Sequence, residues 1–242
     1  MTPDFREPHH LPKLGATSPY PPDLPRQRRG TTPQMYGRYP DFDCLEQTDH
    51  WDELTRQVIL ARVENVPLLS FFTASEAATL GAFCDVVLAQ DTEPRIPVLA
   101  FIDRKLFEGR LDGYQYADMP DDRETWRLVA RGLDEAAAAR GADSYAAAPV
   151  ELQRELMDAF AKGQLSGGAW EQLHGGRAWG VVMRSVLAAF YSHPWAWNEI
   201  GFGGPAYPRG YARLGIGLSE AWEGEEGLDI DPVVDVKKRG LE

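Results

Sequence analysis

Between about residues 49 and 193 the apolar residues recur every three or four positions, the spacing of one face of an α-helix. Six segments show this pattern. Their predicted inward-facing residues, segment by segment, are Trp51, Leu54, Val58 and Ala61; Leu80, Phe83, Cys84, Val87 and Leu88; Leu99, Ile102 and Leu106; Trp126, Val129, Ala130, Leu133 and Ala137; Leu152, Leu156, Ala159 and Phe160; and Trp179, Val182, Met183, Val186, Leu187 and Phe190. No segment alternates polar and apolar residues between hairpin turns. The pattern predicts an all-α protein with about six amphipathic helices in one bundle-like domain.

Residues that favour helix ends stand near most of these boundaries. Asp49 is expected to cap the first helix, and Thr73 and Glu76 have the spacing of a capping box. The other expected starts are Pro97, Asp121 or Asp122, and Pro149, and the expected ends are Gly163 and Pro194.

The two ends of the chain differ from this helical middle. Eight of the eighteen prolines precede residue 40, which favours extended backbone over a helix or a central strand. We therefore divide the chain into an extended Pro-rich arm (1–45), a helical domain (46–215) and an acidic tail (216–242). The arm is either a disordered leader or a segment ordered on a partner, in which case Arg28 and Arg29 are candidate contacts.

After Pro194 the chain interleaves aromatic residues with glycine and proline, which excludes a long helix. So many rings require burial in this chain's own core or in an interface, and both alternatives stay open. The candidate interface anchors are Trp195, Trp197, Phe202, Tyr207 and Tyr211.

Twenty-five basic and 37 acidic residues give a net charge of −12, which argues against nucleic acid or an anionic membrane as the main partner. No apolar run approaches the roughly 20 residues needed to span a bilayer. Arg28 and Arg29 suggest a twin-arginine export signal, but the polar residues after them do not suit one. A cytoplasmic location is therefore expected, with export alongside a partner as the alternative.

Candidate chemistry is sparse. Glu171 and His174 have the Glu-x-x-His spacing of a di-iron ligand pair, yet a complete site needs a second pair and the sequence has none. These two residues are weak metal candidates, and no catalytic or cofactor-binding residue is predicted. His193, before Pro194, is expected to have a cap or packing role at the end of the preceding helix, since a helix C-terminus favours a protonated imidazole.

Two blocks of this sequence resemble the gluconate 2-dehydrogenase subunit 3 family. The first is FTASEAATLGAFCDVVLAQDTEP, from Phe72. The second runs from Val150 through Arg213 and includes ELQRELMDAFAKGQ, WGVVMRSVLAAFYSHPWAW and NEIGFGGPAYPRGY. The positions that match the family pattern are Thr73, Glu76, Pro94, Phe190, Tyr191, Pro194, Ile200, Gly201, Phe202, Gly204 and Pro205. Two departures from the family are expected. Several relatives have a twin-arginine signal, which we do not identify here, and many have a glycine–asparagine insertion before the Ile-Gly motif, where this chain has Trp195 and Trp197.

The resemblance implies a small accessory subunit without its own redox centre. Its expected partner is a large FAD-containing flavoprotein of the glucose–methanol–choline oxidoreductase class, sometimes joined by a cytochrome subunit. The accessory subunit is expected to bind and stabilise that partner, or to help it mature. The alternatives are a stand-alone helical enzyme with a bound metal or flavin, and a transient flavoprotein-maturation chaperone.

Overall fold

The computed structural model describes residues 39, 42–91, 93–111, 115–211 and 220–224. Within these ranges the chain forms seven α-helices, two 3-10 helices and no strand, which confirms the all-α class. The α-helices are α1 (Glu53–Glu64), α2 (Ala74–Val87), α3 (Val98–Phe107), α4 (Asp122–Ala138), α5 (Val150–Ala161), α6 (Gly175–Tyr191) and α7 (Pro194–Ile200). The 3-10 helices span Cys44–His50 and Gly168–Gln172.

The chain divides into two compact units. The central unit is Val66–Phe190, and the terminal unit combines Met1–Asn65 with Tyr191–Glu242. Most of the predicted arm, with Arg28 and Arg29, and most of the predicted tail lie outside the described residues, so the boundaries at 45 and 215 stay predictions. Cys44 and Leu45, assigned to the arm, begin the first 3-10 helix, where both are buried.

Several helix ends are where the sequence predicts them. The Thr73 hydroxyl accepts from the Glu76 backbone N–H at 3.3 Å, and a Glu76 carboxylate oxygen accepts from the Thr73 N–H at 2.9 Å. This reciprocal pair is the expected capping box at the start of α2. Asp121 caps α4, and Gly163 follows α5 with a φ of 64°. These helix starts and ends depend on interactions between residues within one helical turn, so they can be predicted from the local sequence.

The prediction for the first helix was wrong in its start and its face. Asp52, not Asp49, caps α1, because residues 44–50 form the separate 3-10 helix. Leu54 is 69% exposed and Val58 is also exposed, whereas Ile59 and Val63 are buried. Helix α1 carries apolar residues on two separate rows, and helical periodicity alone does not decide which row packs against α7.

The core of the central unit forms where α2 packs against α3, α4 and α5. The Phe83 ring lies 6.0 Å from that of Phe160 and 6.1 Å from that of Trp179, which brings α2, α5 and α6 together. The predicted stripe of α4 is entirely buried: Trp126, Val129, Ala130, Leu133 and Ala137. The second 3-10 helix packs on α4, with the Trp170 indole directly over Gly132.

The end of the long helix also differs from expectation. Val182, Val186 and Phe190 are buried in α6 as predicted, but Leu187 is exposed. Helix α6 ends at Tyr191, and Pro194 begins a further helix, α7, that the sequence interpretation omitted. Proline fits the first turn of a helix because the N–H it lacks would have no intrahelical partner there.

Candidate interaction site

The terminal unit contains most of the residues predicted to contact a partner, and its centre is α7. His193 caps α7: its Nδ1 accepts a hydrogen bond from the Trp195 backbone N–H at 3.2 Å. The imidazole also hydrogen-bonds the backbone of Arg62 in α1, and burial lowers its pKa to about 4. His193 is therefore neutral and caps the helix that follows it. The buried ring has the packing role that the sequence allowed. It caps the following helix and not the preceding one, and burial disfavours the protonated form expected there.

Arg62 and Trp197 connect α1 to the start of this segment. The Arg62 guanidinium donates to the Ser192 carbonyl and lies 5.8 Å from the centre of the Trp197 ring. The Trp197 indole N–H donates to the Tyr191 carbonyl at 2.7 Å, and its ring meets the Phe202 ring edge-on. Arg62 and Trp197 each donate to a backbone carbonyl of residues 191–192, so α1 is tied to the chain between α6 and α7.

The first 3-10 helix is tied to α7 by buried hydrogen bonds. The Asn198 side-chain oxygen accepts from the Cys44 backbone N–H at 2.7 Å, and its amide donates to Asp43 at 3.2 Å. The Cys44 thiol donates to the Pro194 carbonyl at 3.3 Å, and burial raises its pKa well above the ordinary value. The thiol is thus a buried structural group.

The glycines after α7 are positions where aromatic rings approach the backbone. A Cβ on Gly201 would lie 2.5 Å from the Tyr39 ring, and one on Gly204 would lie 2.4 Å from the Trp51 indole. Both glycines also have positive φ, 68° and 81° respectively, which L side chains rarely adopt. A Cβ on Gly203 would lie 2.0 Å from the Trp222 carbonyl oxygen. The Gly-x-Gly-Gly string is therefore a packing motif that admits three aromatic residues.

Arg209 clamps the outer part of this loop. Its guanidinium donates to the Gly203 and Pro205 carbonyls at 3.2 and 3.0 Å and to the Gln47 side chain at 3.0 Å. It lies 4.2 Å from the centre of the Trp222 ring, and burial lowers its pKa to about 10. Arg209 therefore stays protonated at neutral pH, and its charge is offset by carbonyl dipoles and the ring face.

The sequence interpretation did not select Trp51, Asn198, Arg209 or Trp222 as site residues. A sequence signal for the ring partners was present in Gly203 and Gly204, since adjacent glycines before a proline permit a close backbone approach. No sequence pattern near these glycines identifies which aromatic ring packs against each of them.

The five candidate anchors separate into buried and exposed groups. Trp195 and Trp197 are 5% and 6% exposed, so their rings belong to this unit's own core, one of the two alternatives that the sequence left open. Phe202 is half-buried. Tyr207 and Tyr211 are 66% and 54% exposed. Contact of these residues with a partner remains a prediction.

Further apolar side chains are exposed in the same unit. Leu54 and Val58 are one turn apart on α1, and Tyr191 and Ile200 are also exposed. The row of Leu54 and Val58 continues to Arg62, which contacts Trp197 and Ser192. The terminal unit thus exposes apolar side chains on α1 and on the segment after α6. The hydrogen bond from Arg62 to the Ser192 carbonyl links these two segments.

The weak metal candidates lie in the central unit. Glu171 is in the second 3-10 helix, and His174 directly precedes α6. Both side chains are exposed. Across the described residues, no three His, Cys, Asp or Glu side chains are grouped as metal ligands would be.

The comparisons with known proteins give one match. The pattern of the family described as gluconate 2-dehydrogenase subunit 3 matches residues 74–204, from the start of α2 to the second glycine of the Gly-Gly pair. No curated protein and no solved structure matches the chain. None of the helices in the described residues is long and apolar enough to cross a membrane. Since the match covers more than half of the sequence, this chain belongs to the gluconate 2-dehydrogenase subunit 3 family.

Proposed function

We propose that this chain is a noncatalytic small subunit that binds and stabilises a large FAD-dependent dehydrogenase or oxidase acting on sugars or polyols. The family description, which names a subunit of a dehydrogenase, supports an accessory role. Oxidation of a CH–OH group needs a cofactor that accepts a hydride. We assign that cofactor, FAD, to a large partner of the glucose–methanol–choline class, from which a cytochrome subunit can take the electrons.

One observation carries this proposal: the exposed Tyr207 and Tyr211 lie on a loop whose backbone is held by hydrogen bonds from Arg209. Tyr207 and Tyr211 flank Arg209, whose guanidinium holds the backbone of residues 203 and 205. Tyrosine buries a large area at low entropic cost, and a preordered loop loses little further entropy on binding. A rigid loop bearing exposed tyrosines is suited to protein binding.

The exposed row on α1 supports the same conclusion. Contiguous apolar surface on a folded unit marks an interaction site more often than scattered single residues do. Leu54 and Val58 are such neighbours, and the buried residues Ile59 and Val63 hold the helix to its own unit from the opposite side. We therefore assign the partner interface to Leu54, Val58, Tyr207 and Tyr211, with Trp195 and Trp197 supporting it from the core.

The direct test is to co-express the tagged chain with the candidate large flavoprotein from its native cell and to purify through the tag. Mass spectrometry and the flavin absorbance of the eluate measure partner and cofactor stoichiometry. We expect a yellow complex that survives size-exclusion chromatography. A colourless chain that elutes alone overturns the proposal. A partner that gains flavin but leaves this chain identifies a transient maturation chaperone instead.

A pair of variants tests the assigned surface. Replacing Tyr207 and Tyr211 by serine should weaken the complex at least about tenfold, whereas replacing Phe107 on α3 should not. Phe107 is a matched control, because its exposed fraction of 53% is close to the 54% of Tyr211. Equal affinities of the two variants would remove Tyr207 and Tyr211 from the interface.

A further inference from the structure

The central unit carries a second surface, in which three arginines follow one row of α4. Arg123, Arg127 and Arg131 are spaced by four residues and therefore lie along the same side of the helix. Arg123 and Arg131 are exposed, and Arg127 is half-buried. Like charges at this spacing repel each other and destabilise a helix. Arg123 is also in the first turn, where the helix dipole disfavours a cation.

The row differs from several other arginines of this unit. Arg95 pairs with Asp85, Arg140 with Glu155 and Arg177 with Asp118. Arg123 and Arg127 instead lie over the Phe71 ring, their guanidinium carbons 5.0 and 4.4 Å from its centre. Cation–π contact keeps these charges in place without neutralising them. In the part of the chain that the structure describes, no carboxylate forms an ion pair with the row.

Phe71 joins this row to exposed apolar residues. Val66, Leu68 and Leu69, which we call the apolar hook, precede Phe71, and Leu68 is 86% exposed. Consecutive Cα atoms are about 3.8 Å apart, so the Cα atom of Leu69 lies within roughly 7 Å of that of Phe71. The apolar hook therefore lies beside the residue whose ring packs under the arginine row.

A buried carboxylate fixes the chain behind the hook. Asp103 on α3 is fully buried and accepts hydrogen bonds from the backbone N–H groups of Ser70 at 2.6 Å, Phe71 at 3.0 Å and Phe72 at 2.9 Å. Hydrogen bonds to an ionised acceptor are among the stronger ones in proteins. Because the chain is fixed directly after the exposed hook, the hook has less conformational entropy to lose on docking than a free segment would.

From this arrangement we infer that the α4 arginine row and the apolar hook form a docking surface for an acidic protein surface with an apolar pocket. The inference rests on the proposed function, because the partner we assign is the large flavoprotein subunit. Carboxylates of the partner would pair with Arg123, Arg127 and Arg131, and its pocket would receive Leu68. Charge complementarity commits the proposal to an acidic partner surface, since three arginines lie along one row of α4 in a chain whose net charge is −12.

Zero-length cross-linking of the co-expressed complex tests the assignment directly. Arg127→Lys and Arg123→Lys keep the charge and supply an amine that a carbodiimide couples only to a carboxylate in contact with it. We expect peptide mapping to join these lysines to Asp or Glu residues of the large subunit. Arg154→Lys, at an exposed arginine of α5, is the matched control and should give no such product.

Affinity measurements separate this surface from the proposed function. A triple variant with Arg123→Gln, Arg127→Gln and Arg131→Gln should bind the large subunit about tenfold more weakly at about 0.05 M salt, with a smaller loss at about 0.5 M. Leu68→Ser should also weaken binding, whereas Val150→Ser, at an exposed apolar residue of α5, should not. Unchanged melting temperatures show that these variants are folded.

Three outcomes would overturn the inference. If the wild-type chain does not bind the large subunit, the proposed function fails and this surface fails with it. If wild type and row variants bind equally and the lysines give no cross-link, the surface assignment fails while the proposed function stands. If the row variants lose binding only to a short DNA duplex or to phosphatidylserine vesicles, the row serves a different class of partner.

Discussion

The Trp51 indole packs directly against Gly204 and fills the space that a side chain on residue 204 would need. A Cβ on Gly204 would lie 2.4 Å from Cζ2 of Trp51, and the glycine has a φ of 81°. This contact joins Trp51, at the end of the first 3-10 helix, to the loop that follows α7. Packing within this chain therefore explains why residue 204, the second of the Gly-Gly pair, is a glycine.

Gly204→Ala should lower the free energy of unfolding by about 2–4 kcal/mol, because it combines left-handed backbone with overlap against Trp51. Gly210→Ala is the matched control: its φ is 74°, but no atom lies within 4 Å of the added Cβ. That control should lose only about 1–2 kcal/mol. Urea unfolding of both variants measures the difference, and equal losses would contradict a packing role for Trp51.

The second prediction concerns the acceptor behind the apolar hook. Asp103→Asn should destabilise the chain by about 3 kcal/mol, since one oxygen is replaced by an amide that faces backbone donors. Amide hydrogen exchange should also speed up at Ser70, Phe71 and Phe72, which donate to Asp103. Asp158→Asn, on the exposed side of α5, should change stability by less than about 0.5 kcal/mol. Unchanged exchange at the three amides would show that Asp103 does not hold this segment.

The third prediction is a pH dependence from His193. Its pKa is about 4 in the folded chain, against an ordinary value of 6.5, so the unfolded state binds more protons between these values. The contribution of this residue to stability is therefore fully present above pH 6.5. It should fall as the pH is lowered from about 6.5 to about 4, by up to about 3 kcal/mol.

Comparison with variants isolates this effect from other groups that titrate in acid. His193→Gln removes the titration and keeps an acceptor for the Trp195 N–H, so its stability should vary less than that of wild type in this pH range. His174→Gln, at an exposed histidine, should follow the wild-type profile. Parallel profiles of wild type and His193→Gln would contradict a buried neutral imidazole.

The fourth prediction separates core rings from interface rings. Trp197→Ala should lower the free energy of unfolding by about 3–5 kcal/mol, because it removes a buried ring and a hydrogen bond to the Tyr191 carbonyl. Tyr211→Ser should change that free energy by less than about 0.5 kcal/mol and weaken partner binding by about 1 kcal/mol or more. Thermal unfolding and titration with the purified partner measure the two quantities. A stable Trp197→Ala chain that binds poorly would return Trp197 to the interface.

The helices of the central unit could be predicted from the sequence with little error. The capping box of Thr73 and Glu76 and the buried stripe of α4 each depend on residues three or four positions apart. The predictions were wrong where one sequence pattern is compatible with two different structures. Apolar residues on two rows of α1 left the buried row undecided, and Pro194 fits both the end of α6 and the start of α7.

For the candidate interaction site, the sequence predicted which residue types would matter but not which of them would be exposed. Trp195, Trp197, Tyr207 and Tyr211 are all aromatic residues near glycine or proline, and only their contacts separate the buried pair from the exposed pair. The clamp by Arg209 was not predicted, because Gln47, one of its partners, is far away in the chain.

The sequence by itself determined the helical class, most helix ends in the central unit and the family, because these depend on patterns within short stretches of chain. Only the tertiary structure decided which face of α1 is buried, which ring packs on each glycine and how His193 is protonated. These features arise from contacts between distant residues, such as the hydrogen bond from Cys44 to Asn198, 154 positions along the chain. Burial and close packing are properties of the assembled fold, and no local pattern encodes them.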